Sequence, residues 1–422
     1  MRLSIYESIT GVVIFQLLSG PYLTGYLIHL GANAAQIGLV LAIPPLANVI
    51  QLLSALWMQR VKSRLRPIVF GLGFCRIVWV LTGFIPFFLP QEAWVITFIL
   101  MFFFSWVAAA ASSLIWSSLI SDIVPEEVRG RFFGVRNTIA FTVGSISIII
   151  GGLLLQRYPG DIGFAIIYAI SGILVVINVI QLSLHPDAPF VKSEAKSDRE
   201  LFLKPLRDRL FFGTTAFLSV WIFVQNLVIP LFTYVMLELM KLPYFPHVSI
   251  ILTIQNVAMV ASFYIWGSLN AKMPTQKLLL WTLPILALCC MAWGMVEWMP
   301  VVVVLVIVHV LLGIGVGGFN QLAFVYVVGD TPKSERPMYI AFFSALTGFM
   351  GFVGPVVGGL VYQGLRPFPE WIQVYGFSAT VGCILMVLAI LVAPRYLSGG
   401  ESFLGLTGVL RRRFGRNGIA KS

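Results

Sequence analysis

A single arginine stands inside a long apolar run: Arg76, between Phe74-Cys75 and Ile77-Val78-Trp79. It follows Pro67 by nine residues. A helix rising 1.5 Å per residue carries it roughly 13 Å from that proline. If the run crosses a membrane, that depth is near the midplane, where a charge costs about 2.5–3.5 kcal/mol on insertion scales. A guanidinium stays protonated in any protein environment, so it must meet water, a cluster of carbonyls or an anion. The possibilities are contact with an anionic or carbonyl-bearing solute, a gating charge, or hydrogen bonds to neighbouring helices that hold part of the fold together.

Other groups able to do chemistry are sparse. His309 is the one histidine well inside an apolar run. An unperturbed imidazole titrates near pH 6.5, so it is a candidate for proton coupling as well as an ordinary packing residue. Glu7 lies at the start of the first run, with Arg136 as a partner or with an interfacial position. All 17 acids fall in gaps or near run ends, which argues against a deeply buried carboxylate as proton carrier. Amides are more numerous: Gln16, Asn48, Gln51, Gln225, Asn226, Gln255, Asn256, Asn320 and Gln321 stand within or beside apolar runs. Each suits a solute contact or an interhelical hydrogen bond, the latter worth around 0.6 kcal/mol on average. Cys75, Cys289, Cys290 and Cys383 show neither metal-ligand nor disulfide spacing. There is no phosphate-cradling Gly-x-x-x-x-Gly-Lys-Ser/Thr loop and no paired acid–base constellation. Neither an enzyme nor a cofactor or metal is expected.

The elements that must position these residues are membrane spans. The 422 residues are 59% hydrophobic and 11% charged, against roughly 25% charged in a soluble domain. A crossing of about 30 Å needs roughly 20 apolar residues. Runs of that length occur near 9–30, 36–57, 68–89, 94–120, 134–156 and 163–184, then 211–239, 248–269, 278–298, 300–327, 338–363 and 373–396. The predicted fold is therefore an all-α membrane protein of about twelve transmembrane helices in two six-helix halves. Its divisions are an N-terminal half (1–184), a polar linker (185–210), a C-terminal half (211–397) and a basic tail (398–422). The net charge of +11 does not indicate nucleic acid, because the cations are distributed by topology. With the N-terminus inside, 24 of 28 Lys and Arg fall on the inner side and three on the outer, with Arg76 inside a span. That bias places both termini in the cytoplasm of a bacterial inner membrane.

The halves repeat. Asp122 and Arg129 follow the fourth run, and Asp330 and Arg336 follow the tenth; Gly151-Gly152 is matched by Gly358-Gly359, all at offsets of 207 or 208 residues. The loop after the second run, Ala55 to Arg64, aligns with Gly267 to Gln276. Agreement at several loops indicates a duplicated six-helix unit.

Parallel six-span repeats are the layout of the major facilitator superfamily, and the chain resembles that family over about residues 5 to 397. The best match is Asp122-x-x-Pro125-x-x-x-Arg129-Gly130-Arg131-x-x-Gly134, similar to the family's loop after its fourth helix. Gly354-Pro355-x-x-Gly358-Gly359 resembles its glycine-rich element. The loop after the second helix departs, reading Ala55-x-x-x-Gln59-Arg60-x-Lys62-Ser63-Arg64 without the usual acid. The fifth span has Ser147-Ile148 where drug antiporters carry Gly-Pro.

The resemblance implies a central cavity lined by helices one, four, seven and ten. Substrate candidates are then Gln16, Trp116, Gln225, Asn226, Asn320 and Gln321 together with Arg76 and His309, with Trp106, Trp221 and Tyr326 as aromatic walls. Arg60, Asp122, Arg129, Asp330 and Arg336 are gating candidates. Gly20-Pro21 and Gly25 are expected to interrupt the first span, and Gly313, Gly315, Gly317 and Gly318 to loosen the tenth. The implied function is secondary transport of a small organic solute by alternating access, with efflux of a moderately hydrophobic compound in view. The alternative is a lipid flippase or a non-transporting membrane sensor. A monomer is expected, with a small-molecule substrate and with anionic lipids at Arg411-Arg412-Arg413-Phe414-Gly415-Arg416.

Overall fold

The structure, a computed structural model, describes residues 2–58, 63–123, 126–187, 198–270, 272–329 and 336–397. Among the described residues there is no strand, and twelve segments are long and apolar enough to cross a membrane. In order, spans 1 to 6 are Arg2–His29, Ala34–Ser54, Leu65–Phe88, Gln91–Trp116, Thr138–Arg157 and Asp161–Ser183. Spans 7 to 12 are Arg209–Leu239, Tyr244–Asn270, Thr275–Glu297, Val301–Val327, Met338–Gly364 and Ile372–Leu397. The end of the bundle holding Arg2, Ser183, Arg209 and Leu397 is called the terminal face, and the end holding His29, Arg157 and Gly364 the far face.

Span 1 begins at Arg2 rather than at residue 9, about two turns earlier than the apolar run suggests. Glu7 therefore lies inside the helix, where neighbouring cations rather than water receive its charge. The duplication is visible in how the spans break. Span 1 stops at Leu18 and restarts at Gly20, whose φ of +54° favours glycine, with Pro21 at the start of the new helix. Span 7 breaks after Asn226 and restarts in a short turn, Ile229–Leu231, containing Pro230. Spans 3 and 9 each tighten into a 3₁₀ turn, at Thr82–Phe84 and Ala292–Glu297.

Two glycine expectations change. Gly25 does not interrupt its helix, and span 10 runs unbroken to Gly329. Its glycines are sites of close approach: Gly313 and Gly317 lie against Met259 and Ser262 of span 8, and Gly315 and Gly318 against Leu286 and Thr282 of span 9. Backbone proximity of this kind is what small residues supply between helices in lipid.

Three polar caps fix where spans begin. Asn33 and Gln36 form a reciprocal capping box, both bonds 2.9 Å, at the start of span 2. The Asp208 carboxylate accepts from the Phe211 amide at 3.0 Å at the start of span 7. Asp187, beyond span 6, accepts from the Arg64 and Leu65 amides at 3.2 and 3.3 Å, tying the start of span 3 to the end of the N-terminal half. That anchor sets the register of the helix that carries Arg76. Between the halves, span 11 lies along span 2 and span 8 along span 5.

Candidate functional site

Arg76 faces into the N-terminal half and meets a carboxylate. Its Nη1 donates to Asn178 Oδ1 of span 6, and its Nη2 is 3.7 Å from Glu7 Oε1 of span 1. The other oxygen, Glu7 Oε2, is 3.5 Å from Arg136 Nη2, two residues before span 5 in the same helix. Arg136 Nε also donates to the Ser4 carbonyl at 3.3 Å. Asn178 Nδ2 donates to the Glu7 carbonyl at 2.9 Å and to Thr10 Oγ1 at 2.7 Å, and the Thr10 hydroxyl reaches Gln181 Oε1 at 2.7 Å. The Glu7 side chain is 4% exposed, those of Arg76 and Arg136 17% and 18%. One carboxylate thus holds two guanidiniums across spans 1, 3, 5 and 6. Charged hydrogen bonds in a medium without water are strong and costly to leave unmade. The arrangement is one of those open for Arg76, bonds to neighbouring helices, and Glu7 takes Arg136 as its partner.

The C-terminal half contributes a cavity of about 210 Å³, half open, among spans 7, 10 and 11. Asn320, Ser344 and Thr347 are its polar lining; Ile222, Phe319 and Phe343 are among its apolar walls. It sits in the half of these spans nearer the terminal face, since Asn320 precedes the end of its helix at Gly329 by nine residues and Ser344 follows Arg336 by eight. Of the candidate amides, Asn320 lines this cavity. Gln321, one residue on, points toward Gly267 of span 8, and its buried Oε1 has no partner among the described residues. Gln225 accepts from the Trp221 indole at 2.9 Å. Asn226 packs against Gly354 of span 11, and Gln16 against Gly144 of span 5. Trp116 meets the His185 ring edge-on at 4.9 Å, and Trp106 packs on Trp79 at 5.6 Å. Ser344 and Thr347 were not anticipated, although their i,i+3 spacing in an apolar helix is a legible sign of a shared polar face.

His309 is 1% exposed, bonded through Nδ1 to the Leu305 carbonyl at 2.8 Å and set against Phe232. It lies outside the cavity lining. Replacing it with Gln should leave the pH profile of transport unchanged; a flattened profile in vesicles would restore it as a coupling group. Of the gating candidates, Arg60 and Asp330 lie outside the described residues. Asp122 falls in the helix Trp94–Ile123, Arg129 in Glu126–Arg157, and Arg336 opens Arg336–Gly364; the proposed latch pairings lie outside what is described, as does the basic tail.

On the far face the halves are in close contact. Tyr22 of span 1 stacks on Tyr244 of span 8, 6.2 Å between centroids and 15° between planes. The Tyr22 hydroxyl donates to the Ile148 carbonyl. Beside it, a Cβ on Gly25 would overlap the Tyr244 hydroxyl, and one on Gly152 would overlap Ser249. Along the seam of spans 2 and 11, Gly38 faces the Pro355 carbonyl and Gly359 the Ala34 carbonyl, with no room for a side chain on either.

The sequence profile of the Major Facilitator Superfamily matches residues 9–327 and again 244–415. The chain belongs to the Major Facilitator Superfamily. Solved structures of similar fold include a D-xylose-proton symporter, with a TM-score of 0.70 at 13% identity over 95% of this chain and 98% of that one. The nucleoside transporter NupG gives 0.67 at 19% identity over 92% and 98%. A bacterial homologue of the human lysosomal transporter Spinster, inward-facing and unoccupied, gives 0.62 at 12% identity over 94% and 93%. At these identities the superfamily fold is what is shared. No curated protein is detectably similar in sequence.

Proposed function

We propose that the protein is a secondary transporter that moves a small organic solute by alternating access, sitting in a bacterial inner membrane with both termini in the cytoplasm. The observation that carries this is the asymmetry of the two faces: tight packing between halves at the far face, and a half-open cavity nearer the terminal face. That is the arrangement of one end state of a rocking cycle about a site between repeats. The cation bias of the loops supports a cytoplasmic terminal face, so the state would load from the cytoplasm. Efflux is the direction proposed, on the mainly apolar cavity walls, which suit a moderately hydrophobic cargo taken up from the cytoplasm. No nucleotide loop is present to drive the cycle, so a gradient of solute or ion supplies the energy.

The test is a thermal-shift screen of the detergent-purified protein against a chemically mixed panel, followed by exchange of a radiolabelled hit across proteoliposomes. A ligand at 100 times its Kd adds about 2.7 kcal/mol to the folded state, so binders stand out. Saturable exchange is expected. Binding with no exchange of any hit would favour a sensor on the same scaffold.

A further inference from the structure

The cavity among spans 7, 10 and 11 has a polar edge that the protein leaves free. Neither the Asn320 side-chain amide nor the Ser344 hydroxyl has a hydrogen-bond partner among the described residues. Thr347 gives its hydroxyl proton to the Phe343 carbonyl at 2.6 Å, which leaves its oxygen available only as an acceptor. Asn320 therefore offers both amide donors and a carbonyl, and Ser344 and Thr347, three residues apart, present hydroxyls on one face of span 11. Among the described residues no Asp, Glu, Lys, Arg or His lines the cavity. An ion entering it would lose water without gaining a counter-charge, which is strongly unfavourable. In the N-terminal half Glu7 is paired with both Arg76 and Arg136.

Size and hydrogen-bond capacity narrow the class further. The 210 Å³ volume exceeds the roughly 150 Å³ of an apolar cavity that takes up benzene, enough for a single ring with a short substituent. A sugar-like polyol would bring more hydroxyls than three polar side chains can satisfy, and each one left buried and unpaired carries a desolvation penalty. We infer that this cavity selects small uncharged amphipathic solutes, with an adjacent carbonyl and N–H on one edge and an aromatic or aliphatic body, over ions and polyols. Asn320 is the specificity-determining residue. The inference rests on the transporter reading and names the cargo of that site.

Four probes of similar size separate the possibilities: benzamide, benzoate, benzylammonium and D-xylose, titrated into the full-length protein by ligand-observed NMR. Benzamide should bind most tightly. Asn320→Leu, the same branched shape without polar atoms, should weaken it about tenfold, the cost of one neutral hydrogen bond, while Arg76→Met leaves it within about twofold, since Arg76 is not among the lining residues of this cavity. Asn320→Asp should shift preference toward benzylammonium, a gain that misfolding cannot imitate. Preference for benzoate that disappears in Arg76→Met, preference for D-xylose, or no binding by any of the four overturns the inference. The transporter reading fails separately, and only if the preferred probe binds but does not exchange across proteoliposomes.

Discussion

Glu7→Ala should destabilise the protein by about 3–5 kcal/mol, the usual cost of removing one partner from a buried ion pair. Glu7 is the only carboxylate between Arg76 and Arg136 among the described residues. Without it two largely buried guanidiniums are left near one another with no counter-charge among the described residues. Arg76→Met should cost less, because the Glu7–Arg136 pair left behind is electrically balanced. Arg136→Met should behave likewise, and the double variant Glu7→Ala/Arg136→Met should recover part of the loss. Thermal midpoints of the four purified variants, compared at one pH and in one detergent, give the order directly. If Arg76→Met proves the most damaging, the charge of Arg76 is balanced by something other than Glu7, and an anionic cargo returns as its partner.

Gly38→Val should shift the protein toward a state open at the far face. A side chain there meets the Pro355 carbonyl, which is backbone and cannot swing away, so spans 2 and 11 must separate at that end. Overpacking a tight contact costs about 1–3 kcal/mol, and a bias of that size changes a two-state ratio by about 5- to 150-fold. Gly213→Ala is the control, because its added Cβ would lie at an ordinary 3.6 Å from the Tyr396 ring. The shift should appear as faster labelling of a cysteine placed at Tyr244, now packed on Tyr22, in Gly38→Val but not in Gly213→Ala. Equal labelling in both would mean that the seam does not control the far face.

Much of this architecture is legible in the sequence because a membrane span announces itself by length and apolarity alone. The duplication is legible because equivalent loops keep their acids and cations. The start of span 1 is not, since Glu7 reads as the edge of the apolar run, with Arg136 a candidate partner, until Arg76, 69 residues away, is seen on its other oxygen. The polar cluster escaped for the same reason: Thr10, Asn178 and Gln181 are isolated polar residues whose partners lie in other helices. Their i,i+3 spacings, Glu7 with Thr10 and Asn178 with Gln181, were the available clue. Asn320 was anticipated as a cavity residue. Neighbouring Gln321 turns away, because a helix sends adjacent side chains about 100° apart, a difference that composition cannot convey.

Alternating access is tested most directly by two distances measured by pulsed electron paramagnetic resonance. Spin labels at Ile162 and Lys241, both exposed on the far face, report one opening. Labels at Leu184 and Lys272, exposed on the terminal face, report the other. Cys383 is replaced by Ser, and the three buried cysteines, Cys75, Cys289 and Cys290, are left in place. Going from wild type to Gly38→Val, the far-face distance should lengthen and the terminal-face distance shorten in the same sample. Two distances that stay fixed, or that move in the same sense, would contradict a rocking transporter whose faces open in turn.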